Sequence, residues 1–98
     1  MTTAFLWLAM NAVIVMDWGQ TRYGAMHPQQ YEEVENPFLG KHPSVGRVNA
    51  WFLGSLAVNN GIMVVLPKKY RPYYAGAVTA YETRLVIRNN SIGVKVDF

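Results

Sequence analysis

From Val48 to Leu66 the chain reads V-N-A-W-F-L-G-S-L-A-V-N-N-G-I-M-V-V-L without one charged residue, and Pro67 closes the run. Few structures accept such a segment. In lipid, every backbone N–H and C=O must be satisfied within the segment, which leaves the helix as the single-segment solution. The spacing predicts a membrane-crossing helix over 45–66, with Ser44 after Pro43 as its N-cap. Asn49, Asn59 and Asn60 are its polar members, and Asn49 and Asn60 fall on nearly the same face. Gly54, Ser55, Ala57 and Gly61 are the small residues that let membrane helices approach closely.

Two further segments fit the same pattern. Thr2 to Met16 is uncharged until Asp17, and Trp18 and Tyr23 extend it with interfacial anchors to Gly24. A cleaved signal peptide is disfavoured, because a charged leading region and a small-x-small cleavage site are missing. The third candidate begins at Tyr73 and holds Glu82 and Arg84 inside an apolar stretch. The expected fold is therefore all-α: one membrane domain over 1–98 with helices at about 3–23, 45–66 and 70–88. An ordered polar loop follows the first helix, and a short extended tail ends the chain, with Val94, Val96 and Phe98 on one side. A hairpin of Leu85–Ile87 with the tail, turning at Asn89-Asn90, is the competing reading of that end.

Composition agrees in part. Charged residues are 15% of the 98, against roughly 25% in a typical soluble domain. Mean hydropathy over the whole chain is close to zero, because the polar loop at 24–47 and the tail dilute the apolar runs. The net charge of +3 includes no basic cluster longer than Lys68-Lys69-Tyr70-Arg71, too thin for a nucleic-acid footprint. There is no cysteine, so neither a disulfide framework nor a thiolate metal site is open to the chain. Basic residues divide too evenly between the two sides of a three-span arrangement to orient it.

The candidate chemistry lies in Asp17, Glu35 and Glu82. An acid at the end of an apolar helix needs a partner or water. Gln20 and Thr21 share the face of Asp17 and extend its polar patch. Glu82 stands deeper, and its expected use is an ion pair with Arg84, Arg88 or Arg47. Arg84 itself is two residues away, so it cannot face Glu82 on one helix. The loop carries Glu35, Asn36, His42, Ser44 and Arg47 between turn-forming prolines and glycines. Pro28 suits the first turn of a short helix over Gln29–Val34. Arg47 is placed to meet lipid phosphate, Glu35 or Asp17. An O/N metal site from these carboxylates and histidines has no compact ligand spacing behind it, so neither metal nor cofactor is expected. His27 and His42 read as loop residues making local hydrogen bonds.

The run Asp17-Trp18-x-Gln20-Thr21, followed by Glu35-Asn36-Pro37-x-Leu39-Gly40-x-His42-Pro43-Ser44-x-x-Arg47-Val48, resembles a group of small uncharacterised bacterial and prophage-encoded membrane proteins. Trp51-Phe52, Leu66-Pro67, Glu82 and Ser91-Ile92-Gly93-Val94 extend the resemblance over most of the chain. It implies a membrane location and no particular activity; with the three spans, the expected location is multi-pass, in a bacterial inner membrane. It also implies a histidine near the position that holds Asn59 here, which weakens an acid–base reading built there.

The leading functional expectation is a non-enzymatic accessory or oligomer-forming membrane component. Its partners would be lipid, further copies of itself or a larger membrane complex, and not nucleic acid. Asn59, Asn60 and the small-residue faces would serve its packing. Two alternatives stand beside it. One is an intramembrane enzyme or a proton- or ion-coupled site using the buried carboxylates. The other is a soluble helical protein whose apolar segments meet a partner.

Overall fold

Three helices account for most of the chain in the computed structural model, which describes residues 2–32 and 38–98. They are α1 (Thr2–Met26), α2 (Val45–Val65) and α3 (Arg71–Ser91), with a short 3₁₀ turn at Lys68–Tyr70 before α3. No strand occurs among the described residues. The all-α expectation holds, and the hairpin does not form, since Leu85–Ile87 and Asn89-Asn90 lie in α3.

The helix ends follow local chemistry. Gly24 does not stop α1, which continues to Met26. The stop falls where Pro28 biases His27 away from the helical region. The short helix expected after Pro28 is reduced to a turn at Pro28–Gln30, and Glu33 and Val34 lie outside the described residues. Ser44 caps α2 as expected: its Oγ accepts the Arg47 backbone N–H at 3.1 Å. Leu66 and Pro67 end that helix in extended backbone. Pro72 sits in the first turn of α3, where the missing N–H costs nothing.

At the far end of α3, Gly93 takes a φ of +90°. Its N–H donates to Asn90 O, and the Val94 N–H donates to Asn89 O. This paired pattern, with a glycine in the left-handed region, satisfies the last carbonyls of a helix and turns the chain sharply. The tail is thereby sent back across α1. Val94 is buried, and the Asp97 N–H donates to Gly19 O at 3.3 Å. A Cβ at Gly19 would stand 2.6 Å from Val96 Cγ1 and 2.8 Å from Phe98 Cε2. The close crossing therefore requires glycine at that position.

α1 is the centre of the bundle. It packs along α3 for much of its length and along α2 over a shorter stretch, while α2 and α3 scarcely meet. Met10, Ile14, Val48, Phe52, Met63 and Ala75 form the buried core, with Trp7, Trp18, Leu56 and Tyr74 closing around it. The outward faces remain apolar: Phe5 and Leu8 on α1, and Leu53, Val58, Val64 and Val65 on α2, are more than half exposed.

Two helices, α1 and α2, are long and apolar enough to cross a membrane. Only 22% of the most apolar window of α1 and 17% of that of α2 is buried within the chain. A core helix of a soluble domain hides most of its apolar surface, and these two helices do not.

Candidate functional site

All three buried polar residues of the described chain, Asp17, Gln20 and Thr21, lie on one face of α1. Their spacing of three and four residues makes them neighbours on the helix, and α3 covers them. The Asp17 carboxyl faces the Glu82 carboxyl across the α1–α3 interface, one turn before Gln20 and Val86, and the Thr21 hydroxyl donates to Asp17 Oδ1 at 3.2 Å. One turn on, Gln20 Nε2 donates to Val86 O at 3.1 Å and Gln20 Oε1 accepts from Asn89 Nδ2 at 3.2 Å. A polar seam thus joins α1 to α3.

The partner of Glu82 departs from the expected ion pair. Arg84 lies over the Tyr81 ring, 5.3 Å from its centroid, and is exposed. Arg47 donates from Nη2 to Phe38 O at 2.7 Å. Glu82 faces another acid. Two carboxylates only accept hydrogen bonds, so their contact requires a proton on one of them. A second observation points the same way. Glu82 Oε2 is shut off from solvent and has no donor among the described residues when the group is ionised. A buried acceptor without a donor is costly. A proton on the Glu82 carboxyl removes the charge that makes this burial costly.

Beside the seam opens a cavity of about 210 Å³. Gln20, Thr21 and Asn89 line it, together with Tyr31, His42 and Arg88. Thr21 therefore touches both the cavity and the carboxyl pair. The arrangement can hold a proton at Asp17–Glu82 and exchange it with water through the Thr21 side.

The remaining candidates are dispersed. Asn60 Oδ1 accepts from Trp7 Nε1 at 2.7 Å and from Asn11 Nδ2 at 3.0 Å, and Asn60 Nδ2 donates to Asn11 Oδ1 at 2.7 Å. Asn59 Oδ1 accepts from the Tyr74 hydroxyl, and Asn59 Nδ2 donates to Ser55 O. Both asparagines fasten α2 to its neighbours, far along the bundle from the carboxyls. His27 is hydrogen-bonded to Tyr23 O and stacks on Tyr23. His42 Nε2 lies 3.9 Å from Glu32 Oε1 at the surface. Glu35 and Asn36 lie outside the described residues. Among the described residues no three His, Asp or Glu side chains converge, so the O/N metal site is not assembled there.

Asn11 and Tyr31 were not singled out by sequence, and Asn89 was read as a turn residue, not as a partner of Gln20. Asn11 carried a signal, since it is a lone amide in an otherwise apolar run, one turn from Trp7. Compared with known protein families, with curated proteins and with solved structures, the chain matches none.

Proposed function

We propose that this chain is a small multi-pass membrane protein that works by assembly, as an oligomer-forming or accessory component, and not by catalysis. One observation carries the reading. Ala50, Gly54, Ala57 and Gly61 form an exposed stripe of small residues along α2. A methyl group added at Gly54 or Gly61 would meet no atom within 4 Å. Small residues at this spacing let two membrane helices bring their backbones together. In water, the same face beside exposed Leu53, Val58 and Val64 would be an unpartnered apolar surface.

In this reading α1 and α2 cross the bilayer and α3 crosses beside α1. Its acid is turned to Asp17 and away from lipid, as intramembrane acids require. Arg84 and Arg88 reach towards the headgroups along their flexible stems. The bacterial inner membrane is the proposed location, on the resemblance of the loop signature.

Two measurements test the reading. The expressed protein should resist a carbonate wash and leave the membrane only with detergent. Release by carbonate overturns the membrane location. In detergent, light scattering should report an oligomer for the wild type and a smaller species for Gly54→Leu and Gly61→Leu. An unchanged mass for both variants, with helicity intact, overturns assembly through this stripe.

A further inference from the structure

The carboxyl pair occupies a position where its protonation state has mechanical consequences. α3 is attached to the bundle almost wholly through α1. Along that interface, Asp17–Glu82 is the one contact between two ionisable side chains among the described residues. The other polar links, Gln20 to Val86 O and Gln20 to Asn89, are neutral. We infer that Asp17 and Glu82 form a proton-dependent clasp: with one shared proton they hold α3 against α1, and without it they drive the two helices apart and widen the adjoining cavity.

The chemistry follows from the contact. In the singly protonated pair, one carboxyl donates to the other, and a single charge remains beside the buried Glu82 Oε2. Removing that proton leaves two negative charges in contact in a site shielded from water. Like charges that face each other repel strongly where the dielectric is low. Among the described residues no ion pair joins a cation to either carboxyl; from the loop, Lys41 and His42 line the adjoining cavity with Glu32 and Tyr31. On α1, Arg22 is directed to Asp97 O. On α3, Arg84 lies over Tyr81 and Arg88 lines the cavity at the Gln20 end. At the mouth of α2, Arg47 is held by Phe38 O. In the tail, Lys95 and Asp97 are exposed. Thr21 donates to Asp17 but carries no charge.

The proton also has a route. Thr21 and Gln20 line the cavity, and Thr21 is bonded to Asp17. Water entering the cavity would meet Thr21, whose hydroxyl is bonded to Asp17. Movement of α3 requires a hinge, and the extended backbone at Leu66-Pro67, between α2 and the 3₁₀ turn, is where it would lie.

The test uses the full chain in detergent micelles and does not depend on the assembly reading. The chain has no cysteine, so Met16→Cys and Ile87→Cys provide two exposed labelling sites, one on α1 and one on α3. The distance between spin labels is read by pulsed electron resonance from about pH 3 to about pH 10, a range that spans carboxyl and imidazole titration. In the wild-type background a single short distance at low pH should give way to a longer, broader distribution at high pH. Glu82→Gln and Asp17→Asn each place a permanent donor opposite the remaining carboxylate, and should keep the short distance throughout. Circular dichroism first confirms that a variant is folded, and either variant suffices if the other is not. A wild-type distance that does not move with pH overturns the clasp. So does the same pH response in a folded amide variant, because groups elsewhere would then be responsible.

Discussion

The indole N–H of Trp18 donates to Asn49 Oδ1 at 2.9 Å, tying the lower half of α1 to the first turns of α2. The same ring is stacked on Phe52 at an interplanar angle of 5° and is met edge-on by Phe98 at 83°. One side chain thus joins α1, α2 and the tail. Trp18→Ala should lower unfolding stability in detergent by about 3–5 kcal/mol, the range for deleting a large packed aromatic. Asn49→Ala, which removes only the acceptor, should cost about 1 kcal/mol. Chemical denaturation followed by circular dichroism measures both. Equal losses would mean that the hydrogen bond, and not the ring, is what matters.

Gly19 is where the tail crosses α1. Its replacement by Ala puts a methyl group 2.6 Å from Val96 Cγ1 and 2.8 Å from Phe98 Cε2. The obstacles are side chains at the end of an extended segment, so the tail should yield while the helices stay in place. Helicity should be unchanged, and the Trp18 indole resonance should shift as Phe98 leaves its edge. Backbone exchange at Asp97, whose N–H bonds to Gly19 O, should rise markedly. An unmoved indole signal would show that the tail tolerates the methyl group.

Asn60 and Asn11 exchange hydrogen bonds in both directions across the α1–α2 interface, and Trp7 adds a third. Asn60→Ala strands a part-buried donor on each of two residues and should cost about 1–3 kcal/mol. Removing Asn11 as well should add much less than the first loss, because the partners of a network are not independent. A double-mutant cycle on thermal unfolding decides the point; strictly additive losses would mean that the two amides act separately.

Ser44→Ala removes the side-chain acceptor for the Arg47 N–H. The expected cost is about 1 kcal/mol, typical of a lost N-cap. Hydrogen exchange should accelerate at Arg47 and its immediate neighbours and nowhere else. An effect spreading into the middle of α2 would contradict a local cap.

Much of this architecture is legible in the sequence because it is local. Apolar runs punctuated by Pro28, Pro43, Pro67 and Pro72 specify three helices, and Ser44 announces the start of α2. The spacing of Asp17, Gln20 and Thr21 places them on one face, which is the face α3 covers. Legibility fails where the determinant is a distant packing partner. Nothing near Glu82 indicates that its partner is a second acid, and charge complementarity points instead to the arginines. Nothing near Gly19 indicates that a tail lies across it. Gly24 illustrates a different failure. A glycine permits a helix to end without compelling it, and the proline four residues later exerts the stronger constraint.

The placement of Glu82 against Asp17 has a further consequence for how the protein is made. Synthesis proceeds at roughly 5–20 residues per second, so Asp17 leaves the ribosome several seconds before its partner exists. During that interval α1 must keep its acid in water, bind a proton outright, or borrow a companion. Only when α3 emerges can the pair close, and the tail follows it across Gly19. The newborn chain therefore passes through a period in which its central helix is its least settled part, and any factor that escorts it must act before residue 82 appears.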